Sequence, residues 1–565
     1  MPIRSLIAGA VVLVAASLCR ADLPDIVDAI PADARAAVVI PSVNEFDGAV
    51  TQLLIAMEQG EASSPKQLLR IVGIAGAIDA RRPIAAFYRT QNDSPMLAAL
   101  VPTLNAKKAM ESLGATKGAG GNDNIWSFEA GSRTWFVRAL TDNDLLVGLE
   151  PRSLAAYTPV TGQLDAHKAA MGDAGLAATQ NANIIAWGEM DEFRPMLDQW
   201  LAKAGSSINA LKAGLGNTTA PGADELASFV DTLTHAITRD ADRFTLTART
   251  DANGVVAQFA SSFTPDSQMH RAATASRPAE PRELFAGLPA LPYLLALSVD
   301  ASHEGVRAIA ATSANATGDR PTALHTAEAL ALAAYEPPGM LVMEGGLSRV
   351  VLHFAAEKPD TTARWFKSYI KSLDGTQGAS VSYDDATGQV AGVSIDRWVM
   401  SIPDTGNRSA QLLYGQHGTP RGVVALREHD GYITSAPDDL ITNILKGRAA
   451  GSLASNAQIK ELASWLPADP AAQGFLNFRP MLMQAMPMLA MMGINIDVPL
   501  RLPPIAASIS MHDGQAHAGA FVPAYAIKLA WQFYKANQAM NAPPPEPQPR
   551  PGVNPSRGGD GQNQK

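Results

Sequence analysis

Two short motifs place a serine three residues before a lysine. At this spacing a lysine lies one helical turn from a serine and can activate it as a nucleophile. The motifs are Ser63-Ser64-Pro65-Lys66 and Ser368-Tyr369-Ile370-Lys371. Acyl-transfer sites of this type also need a Lys-Thr-Gly strand, which neither motif has beside it. Because serine before proline is typical of a helix cap, we interpret Ser64 as a cap and predict no catalytic residue from either motif.

Other enzyme signatures are also missing from the sequence. It contains no Gly-x-Ser-x-Gly nucleophile turn, no His-Glu-x-x-His zinc helix and no phosphate-binding loop. Serine hydrolases, zinc proteases and nucleotide-binding proteins depend on these arrangements. The sequence therefore favours a protein without catalysis and predicts neither a cofactor nor a metal site.

A cluster of methionines is the one unusual group of metal-binding side chains. Six fall within twelve residues: Met481, Met483, Met486, Met488, Met491 and Met492. Thioethers are soft ligands that suit Cu(I). The corresponding stretch of the first half keeps only Met196, and methionine is also an adaptable filler of helical cores. We interpret the cluster as core packing and keep Cu(I) binding as a minor alternative.

Two arginines lie in a heptapeptide that occurs twice. Phe193-Arg194-Pro195-Met196-Leu197-Asp198-Gln199 and Phe478-Arg479-Pro480-Met481-Leu482-Met483-Gln484 differ at one position. Proline fits the first turn of a helix, so the motif predicts a strand-to-helix joint. The alternative is a duplicated binding site in which Arg194 and Arg479 face a shared cleft and hold an anion.

The repeated heptapeptide belongs to a longer series of matches that indicates an internal duplication. Ile30-Pro31-Ala32 matches Leu288-Pro289-Ala290, Asp144 matches Asp430, and Asn253-Gly254 matches Asp513-Gly514. The offsets differ, which predicts one insertion near 202–240 and another near 405–421. We predict a first repeat domain at 22–270, a linker at 271–284 and a second repeat domain at 285–540, since 565 residues exceed the size of a single core.

Within each half the periodicity predicts an α+β fold of hairpins and meanders covered by helices. Apolar and polar residues alternate on both sides of Gln91-Asn92-Asp93-Ser94-Pro95, which predicts a hairpin. Segments near 125–129, 135–140 and 145–148 predict a three-stranded meander. Asn253-Gly254 and Asp513-Gly514 accept positive φ and predict tight turns near the end of each half. A final helix is predicted at about 525–540.

The N-terminus indicates export. Arg4 precedes an uncharged apolar run from Leu6 to Leu18, and small residues follow up to Ala21. This pattern is typical of a signal peptide cleaved after Ala21, which predicts a periplasmic or extracellular protein. The run is shorter than the roughly 20 residues of a spanning helix, so we predict no transmembrane segment in the mature chain. Lipidation at Cys19 is a third interpretation.

Composition and net charge favour some classes of binding partner over others. Cleavage would remove Cys19, the single cysteine, and would change the net charge from −9 to −11 through loss of Arg4 and Arg20. An acidic chain without a basic stripe disfavours nucleic acid as a partner. Residues 541–565 are rich in proline and polar residues, which predicts a disordered tail. An envelope protein or a small-molecule ligand remains as the predicted partner.

The chain resembles large exported bacterial proteins of unknown function in which an Ile/Leu-Pro-Ala segment, an apolar strand, hairpins and helices recur. The resemblance covers roughly Leu23 to Met540 and rests on Ile30-Pro31-Ala32-Asp33-Ala34 and Asp79-Ala80-Arg81-Arg82-Pro83. It implies no catalytic residues. The sequence thus predicts an exported binding or envelope-associated structural protein. The alternative is a hydrolase of envelope material with its site in the groove between the repeats.

Overall fold

The computed structural model describes most of the chain between residues 23 and 541. The gaps in that range are 60–63, 72–75, 92–93, 119–123, 131–132, 196–197, 200–237, 276–282, 309–325, 337–348, 376–377, 402–418, 436–437, 449–450 and 492–496. The predicted signal peptide, Cys19 and almost all of the proline-rich tail lie outside the described residues. So do most of the two predicted insertions.

Within the described residues, twenty strands form one antiparallel sheet. Those of the first half, here called the first unit, are β1 Ala36–Ile40, β2 Ile84–Gln91, β3 Ser94–Pro102, β4 Thr116–Lys117, β5 Trp126–Ala130, β6 Arg133–Thr141, β7 Asp144–Gly148, β8 Ile184–Glu189, β9 Ala241–Thr250 and β10 Gly254–Phe263. Those of the second unit are β11 Tyr293–Val299, β12 Ala329–Tyr335, β13 Val350–Ala355, β14 Ser380–Val390, β15 Val393–Ser401, β16 Arg421–Leu426, β17 Asp430–Thr434, β18 Ala472–Leu476, β19 Ile505–His512 and β20 Gln515–Pro523.

Helices connect and cover these strands. The α-helices are α1 Val43–Ala56, α2 Pro65–Ile71, α3 Ala106–Ser112, α4 Pro151–Ala156, α5 Leu164–Ala178, α6 Gln268–Ala275, α7 Pro359–Ser372, α8 Asp438–Leu445, α9 Ala457–Ala463, α10 Arg479–Met491 and α11 Ala524–Asn541. Short 3-10 helices lie at Asp25–Ala29 and Leu453–Ser455. Residues 190–195 and 198–199 are also helical, as are residues 304–308. The predicted α+β class with a mostly antiparallel sheet is confirmed.

The same strand order occurs in both units. Across the sheet, the first unit runs β4-β5-β6-β7-β3-β2-β1-β8-β9-β10. The second unit runs β14-β15-β16-β17-β13-β12-β11-β18-β19-β20. Each strand of the second unit, from β11 to β20, therefore occupies the place of the first-unit strand whose number is lower by ten.

The two units meet edge to edge at a seam formed by β10 and β20. These strands pair antiparallel from Gly254 opposite Pro523 to Ser262 opposite Gln515. Gly254 permits this approach, because a Cβ there would lie 2.2 Å from the carbonyl oxygen of Val522. Since β10 and β20 are the last strands of their units, the pairing leaves neither as a free edge.

Side chains from both units close the faces of the seam. Gln515 of β20 inserts at the kink of α5, where Gly172 has φ 65° and the backbone N–H of Ala174 donates to Gln515 Oε1 at 3.0 Å. On α11, Lys528 Nζ lies 2.7 Å from Glu58 Oε1, just beyond α1. These contacts fix the orientation of the units across the described seam.

Local chemistry explains several boundaries. Ser42 caps α1 by accepting from the backbone N–H of Glu45 at 3.2 Å, and Asn105 caps α3 by accepting from Lys108 at 2.9 Å. The turn between β19 and β20 has Asp513 at φ 51° and Gly514 at φ 75°, as a tight hairpin turn requires. The β9–β10 turn differs, since Asp251 accepts from the backbone N–H of Asn253 at 2.7 Å.

Both units bury their own apolar interior. The first has a core cluster that includes Val39, Phe87 and Trp187, and the second has one that includes Tyr335 and Phe475. The predicted linker at 271–284 begins inside α6, which extends to Ala275. In the described part of the chain, every helix is too short or too polar to cross a membrane.

Candidate functional site

A cavity of about 440 Å³ in the second unit brings several ionisable side chains together. Glu328 precedes β12, Glu357 follows β13 and His429 precedes β17, so all three lie at the same edge of three adjacent strands. Backbone bonds hold this edge in register, from Glu328 N to Ala355 O at 2.8 Å and from Ala356 N to His429 O at 3.1 Å. Glu283 approaches from the segment before β11 and completes the acidic wall.

His353 forms the floor of the cavity. Its Nε2 lies 3.2 Å from Asp430 Oδ2, and its side chain is 15% exposed. The ring packs against Tyr432 at a centroid distance of 5.0 Å and against Gly287, where a Cβ would lie 2.4 Å from Nδ1. The glycine therefore leaves room for the imidazole ring.

Asp430 is held in its ionised form. The hydrogen bond from His353 lowers the pKa of the Asp430 carboxyl below its ordinary value, and the positive charge of Arg427 acts in the same direction against the effect of burial. Arg427 Nη1 lies 3.9 Å from Asp430 Oδ2, and its guanidinium stacks over Tyr432 at 5.4 Å. The Asp430 carboxylate thus connects the first residue of β17 to the side chains of His353 and Arg427.

The matched strand order shows what occupies the same places in the first unit. Asp144 begins β7 as Asp430 begins β17, and they lie opposite Pro102 and Ala355. Leu100 lies two residues before Pro102 and is 5% exposed. His353 lies two residues before Ala355. A core leucine in one unit therefore corresponds to a histidine beside a cavity in the other.

Asp144 supports a structural interpretation of the Asp430–His353 pair. Arg82 Nη2 lies 2.7 Å from Asp144 Oδ1, and the Thr141 hydroxyl donates to Asp144 Oδ2 at 2.7 Å. The aspartate that begins this strand contacts a neighbouring side chain in both units, Arg82 and Thr141 in the first and His353 in the second. No described residue lining the cavity of the second unit is a serine, threonine or cysteine.

Metal binding receives no geometric support from the described residues. Within that part of the chain, no three His, Cys, Asp or Glu side chains are arranged to hold a metal ion. Of the methionine cluster, Met481 and Met483 are exposed on α10, at 53% and 42%. The core-packing interpretation was therefore wrong for these two residues. Met492 lies outside the described residues.

Arg194 and Arg479 each bind backbone near their own helix. The guanidinium of Arg194 donates to the carbonyl oxygens of Thr238, Arg239 and Ala241, at 2.8 Å for Arg239 and 3.3 Å for Ala241, and it lies 2.7 Å from Asp191 Oδ1. Nε of Arg479 donates to the carbonyl oxygen of Pro499 at 3.0 Å. These contacts favour the predicted joint over a shared anion site.

The proline of this motif differs between the units. Pro480 is the second residue of α10, as the joint predicts. In the first unit the helix already begins at residue 190, so Pro195 lies in its second turn. The prediction of a first-turn proline was therefore wrong for Pro195, whose missing N–H leaves the carbonyl of Asp191 without its intrahelical donor.

The Ser-x-x-Lys motifs lie on surfaces. The side chain of Ser64 accepts from Gln67 N at 3.4 Å, and Gln67 Oε1 accepts from Ser64 N at 2.9 Å, which confirms the predicted cap of α2. Ser368 and Lys371 are both exposed on α7. Ser63 lies outside the described residues.

The sequence contained a signal for His353, although spacing alone did not reveal it. Asp144 and Asp430 were already matched, but His353 and Asp430 are 77 residues apart and meet only because β13 pairs with β17. Comparing the strands beside the two aspartates would have shown a leucine in one half and a histidine in the other.

Comparison with known proteins gives little help. No protein-family model matches the chain, and no curated protein matches it. Crystal form IV of TP0453 aligns at 9% identity and a TM-score of 0.22, over 43% of this chain and 82% of that chain. Crystal form I aligns at 8% identity and a TM-score of 0.21, over 43% and 79%. Similarity at this level supports no argument about fold or function.

Proposed function

We propose that this chain is an exported, non-catalytic binding protein built from two copies of one unit, and that the cavity of the second unit takes a small organic cation such as an amine. The observation that supports the ligand class is the lining of the cavity. Glu283, Glu328 and Glu357 contribute three carboxylates, whereas no lysine or arginine is among the described residues that line it. An ammonium group donates up to three hydrogen bonds to such acceptors.

The partly enclosed geometry supports binding of a small molecule. Glu283 and Glu357 are exposed, His353 is half-buried and Gly287 lies beneath it. A ligand would therefore meet charged groups first and a flat, less polar floor below. An organic cation with a short apolar body fits this arrangement, and the volume of about 440 Å³ lies in the range of small-molecule pockets.

Export and duplication rest on separate support. The basic residue and apolar run before Ala21 support export. The identical strand order of the two units supports duplication of one ancestral unit. Both belong to the proposal, because a duplicated unit can keep its fold in both copies while each acquires its own site.

Titration with spermidine tests the ligand class. Wild-type protein should bind spermidine with one site per chain by calorimetry at low salt. The triple variant Glu283→Gln, Glu328→Gln, Glu357→Gln should bind at least about 100-fold more weakly, because each charge-assisted hydrogen bond contributes about 1.5 kcal/mol or more. Equal affinity in the two proteins would contradict the proposal.

The variant Glu428→Gln is a matched control. Glu428 adjoins His429 but its side chain is 89% exposed, and it does not line the cavity. Its removal should change affinity by less than about threefold, as expected for a screened surface charge. The titrations are run with EDTA present, so that binding seen only without EDTA would identify a metal-dependent site instead.

A hydrolase is the second candidate, since His353 and Asp430 lie within hydrogen-bond distance in a cavity. In that case His353 would act as a general base on a water molecule. Asp430→Asn would then abolish hydrolysis of an envelope substrate while spermidine had no effect. The corresponding anchored Asp144 of the first unit makes us prefer the binding function.

A further inference from the structure

We propose that a second cavity, in the first unit, binds a small organic anion that carries a flat apolar group. This cavity measures about 540 Å³, and its lining includes Lys117, Trp126, Arg138, Leu140 and Pro159. It offers two cationic side chains, one indole ring and apolar walls. It is separate from the acidic cavity, which lies in the other unit.

Arg138 is the central residue of the argument. Its Nη2 donates to the carbonyl oxygen of Tyr157 at 2.7 Å, and among the described residues its guanidinium makes no ion pair. Burial lowers the pKa of Arg138 below its ordinary value, since the charged form loses hydration there. A half-buried cation whose hydrogen bond among the described residues is to a carbonyl retains donors for an anion, and an anionic ligand would offset the lost hydration.

Comparison of the units shows that the fold does not require this arginine. Arg138 lies opposite Leu146, the third residue of β7. In the second unit, Ala425 lies opposite Tyr432, the third residue of β17. Arg138 and Ala425 are therefore equivalent positions. Ala425 is fully buried in the core of the second unit. The same sheet position therefore accepts a small apolar residue, and the first unit has an arginine there instead.

Trp126 differs between the units in the same way. Trp126 lies opposite Val137, and the residue in the corresponding place of the second unit is Asp396, opposite Val424. Asp396 accepts hydrogen bonds from the Tyr383 hydroxyl at 2.9 Å and from Ala386 N at 2.8 Å. In the second unit this place is thus filled by an internal hydrogen-bonded carboxylate. In the first unit it holds an indole that packs against the cluster of Phe128 and Val137 and also lines the cavity, where it offers aromatic surface to a ligand.

The test uses 2-naphthoate as the anionic probe and 2-naphthylmethylamine as its cationic match, both followed by ligand-observed NMR on the full chain. Naphthoate should bind wild-type protein, and Arg138→Ala should weaken it at least about 10-fold, as the loss of a charge-assisted hydrogen bond implies. Because alanine stands at the equivalent place of the second unit, this variant should fold, and an unchanged melting temperature would show it. Arg138→Lys, which keeps the charge without the fork of donors, should bind with intermediate affinity.

Arg133→Ala is the control, since Arg133 is an exposed residue of the same strand that does not line the cavity. It should keep naphthoate binding within about twofold of wild type. Three results would overturn the proposal. They are no naphthoate binding to wild-type protein at about 10 mM probe, the practical limit for a specific site, equal binding by Arg138→Ala, or displacement of bound naphthoate by an equal concentration of the naphthylmethylamine.

Discussion

Replacing Gly422 of β16 by alanine should lower the free energy of unfolding of the second unit by about 3 kcal/mol, the upper range for overpacking. A Cβ at Gly422 would lie 1.6 Å from the carbonyl oxygen of Thr434 and 2.8 Å from Nε1 of Trp398. The first neighbour is the backbone of β17, which cannot rotate away. Either β16 separates from β17 or the added methyl group displaces both strands.

Urea unfolding followed by hydrogen exchange measures this effect. The control is Gly388→Ala on the nearby hairpin, where the nearest atoms to a new Cβ are those of Ile395 at 4.0 Å. That substitution should change the free energy of unfolding by less than about 0.5 kcal/mol, as for an ordinary surface change. If Gly422→Ala were as stable as the control, the packing of β16 against β17 described here would be wrong.

Lowering the pH from 6.5 to 4 should weaken the fold by about 3 kcal/mol through His517 alone. His517 lies on the seam, is 9% exposed, and its Nε2 lies 3.3 Å from Oε1 of Gln258 across the two units. Burial lowers the pKa of His517 to about 4, with the charge of His512 acting in the same direction. The folded protein therefore keeps this ring neutral.

The direction follows from proton uptake. In the unfolded chain a histidine takes up a proton near its ordinary pKa of 6.5, whereas in the folded chain His517 does so only near 4. Between these values the unfolded state binds more protons, so the free energy of unfolding falls as the pH falls. Stability from this group is complete above pH 6.5 and is lost by about pH 4.

Urea titrations of wild type and His517→Gln at several pH values isolate this contribution. The variant should lose the part of the slope between pH 6.5 and 4, while His429→Gln, whose side chain is 79% exposed in the wild type, should retain it. A wild-type slope that persisted in His517→Gln would show that His517 is not buried at the seam.

Local sequence features predicted the elements more successfully than their arrangement. The meander of β5 to β7 and the hairpins of β9–β10 and β19–β20 were predicted because adjacent strands leave a period of two and a turn signal between them. The pairings of β1 with β8 and of β10 with β20 join distant residues. No local pattern encodes these, so the single continuous sheet could not be read from the sequence.

The candidate sites were hidden for a related reason. His353 and Arg138 are each unremarkable in their own segments, and their significance arises from what occupies the equivalent sheet positions, Leu100 and Ala425. Arg194 and Arg479 drew attention through repetition, yet both bind backbone. In two units that share one strand order, repeated residues serve the shared architecture, and we infer that function lies where the units differ.

The edge-to-edge arrangement of the two units depends on the pairing of β10 with β20, and a cysteine cross-link tests that pairing most directly. Ala257 lies opposite Ala520 in the seam, whereas Ala507 lies on the far side of β20, opposite the same alanine. In a Cys19→Ser background, Ala257→Cys with Ala520→Cys should form an intramolecular disulfide, seen as one linked peptide pair by mass spectrometry. Ala257→Cys with Ala507→Cys should not, because strands two apart are separated by about 10 Å and a disulfide spans at most about 7 Å between Cα atoms. A disulfide in the second protein, or its absence from the first, would contradict the edge-to-edge arrangement of the two units.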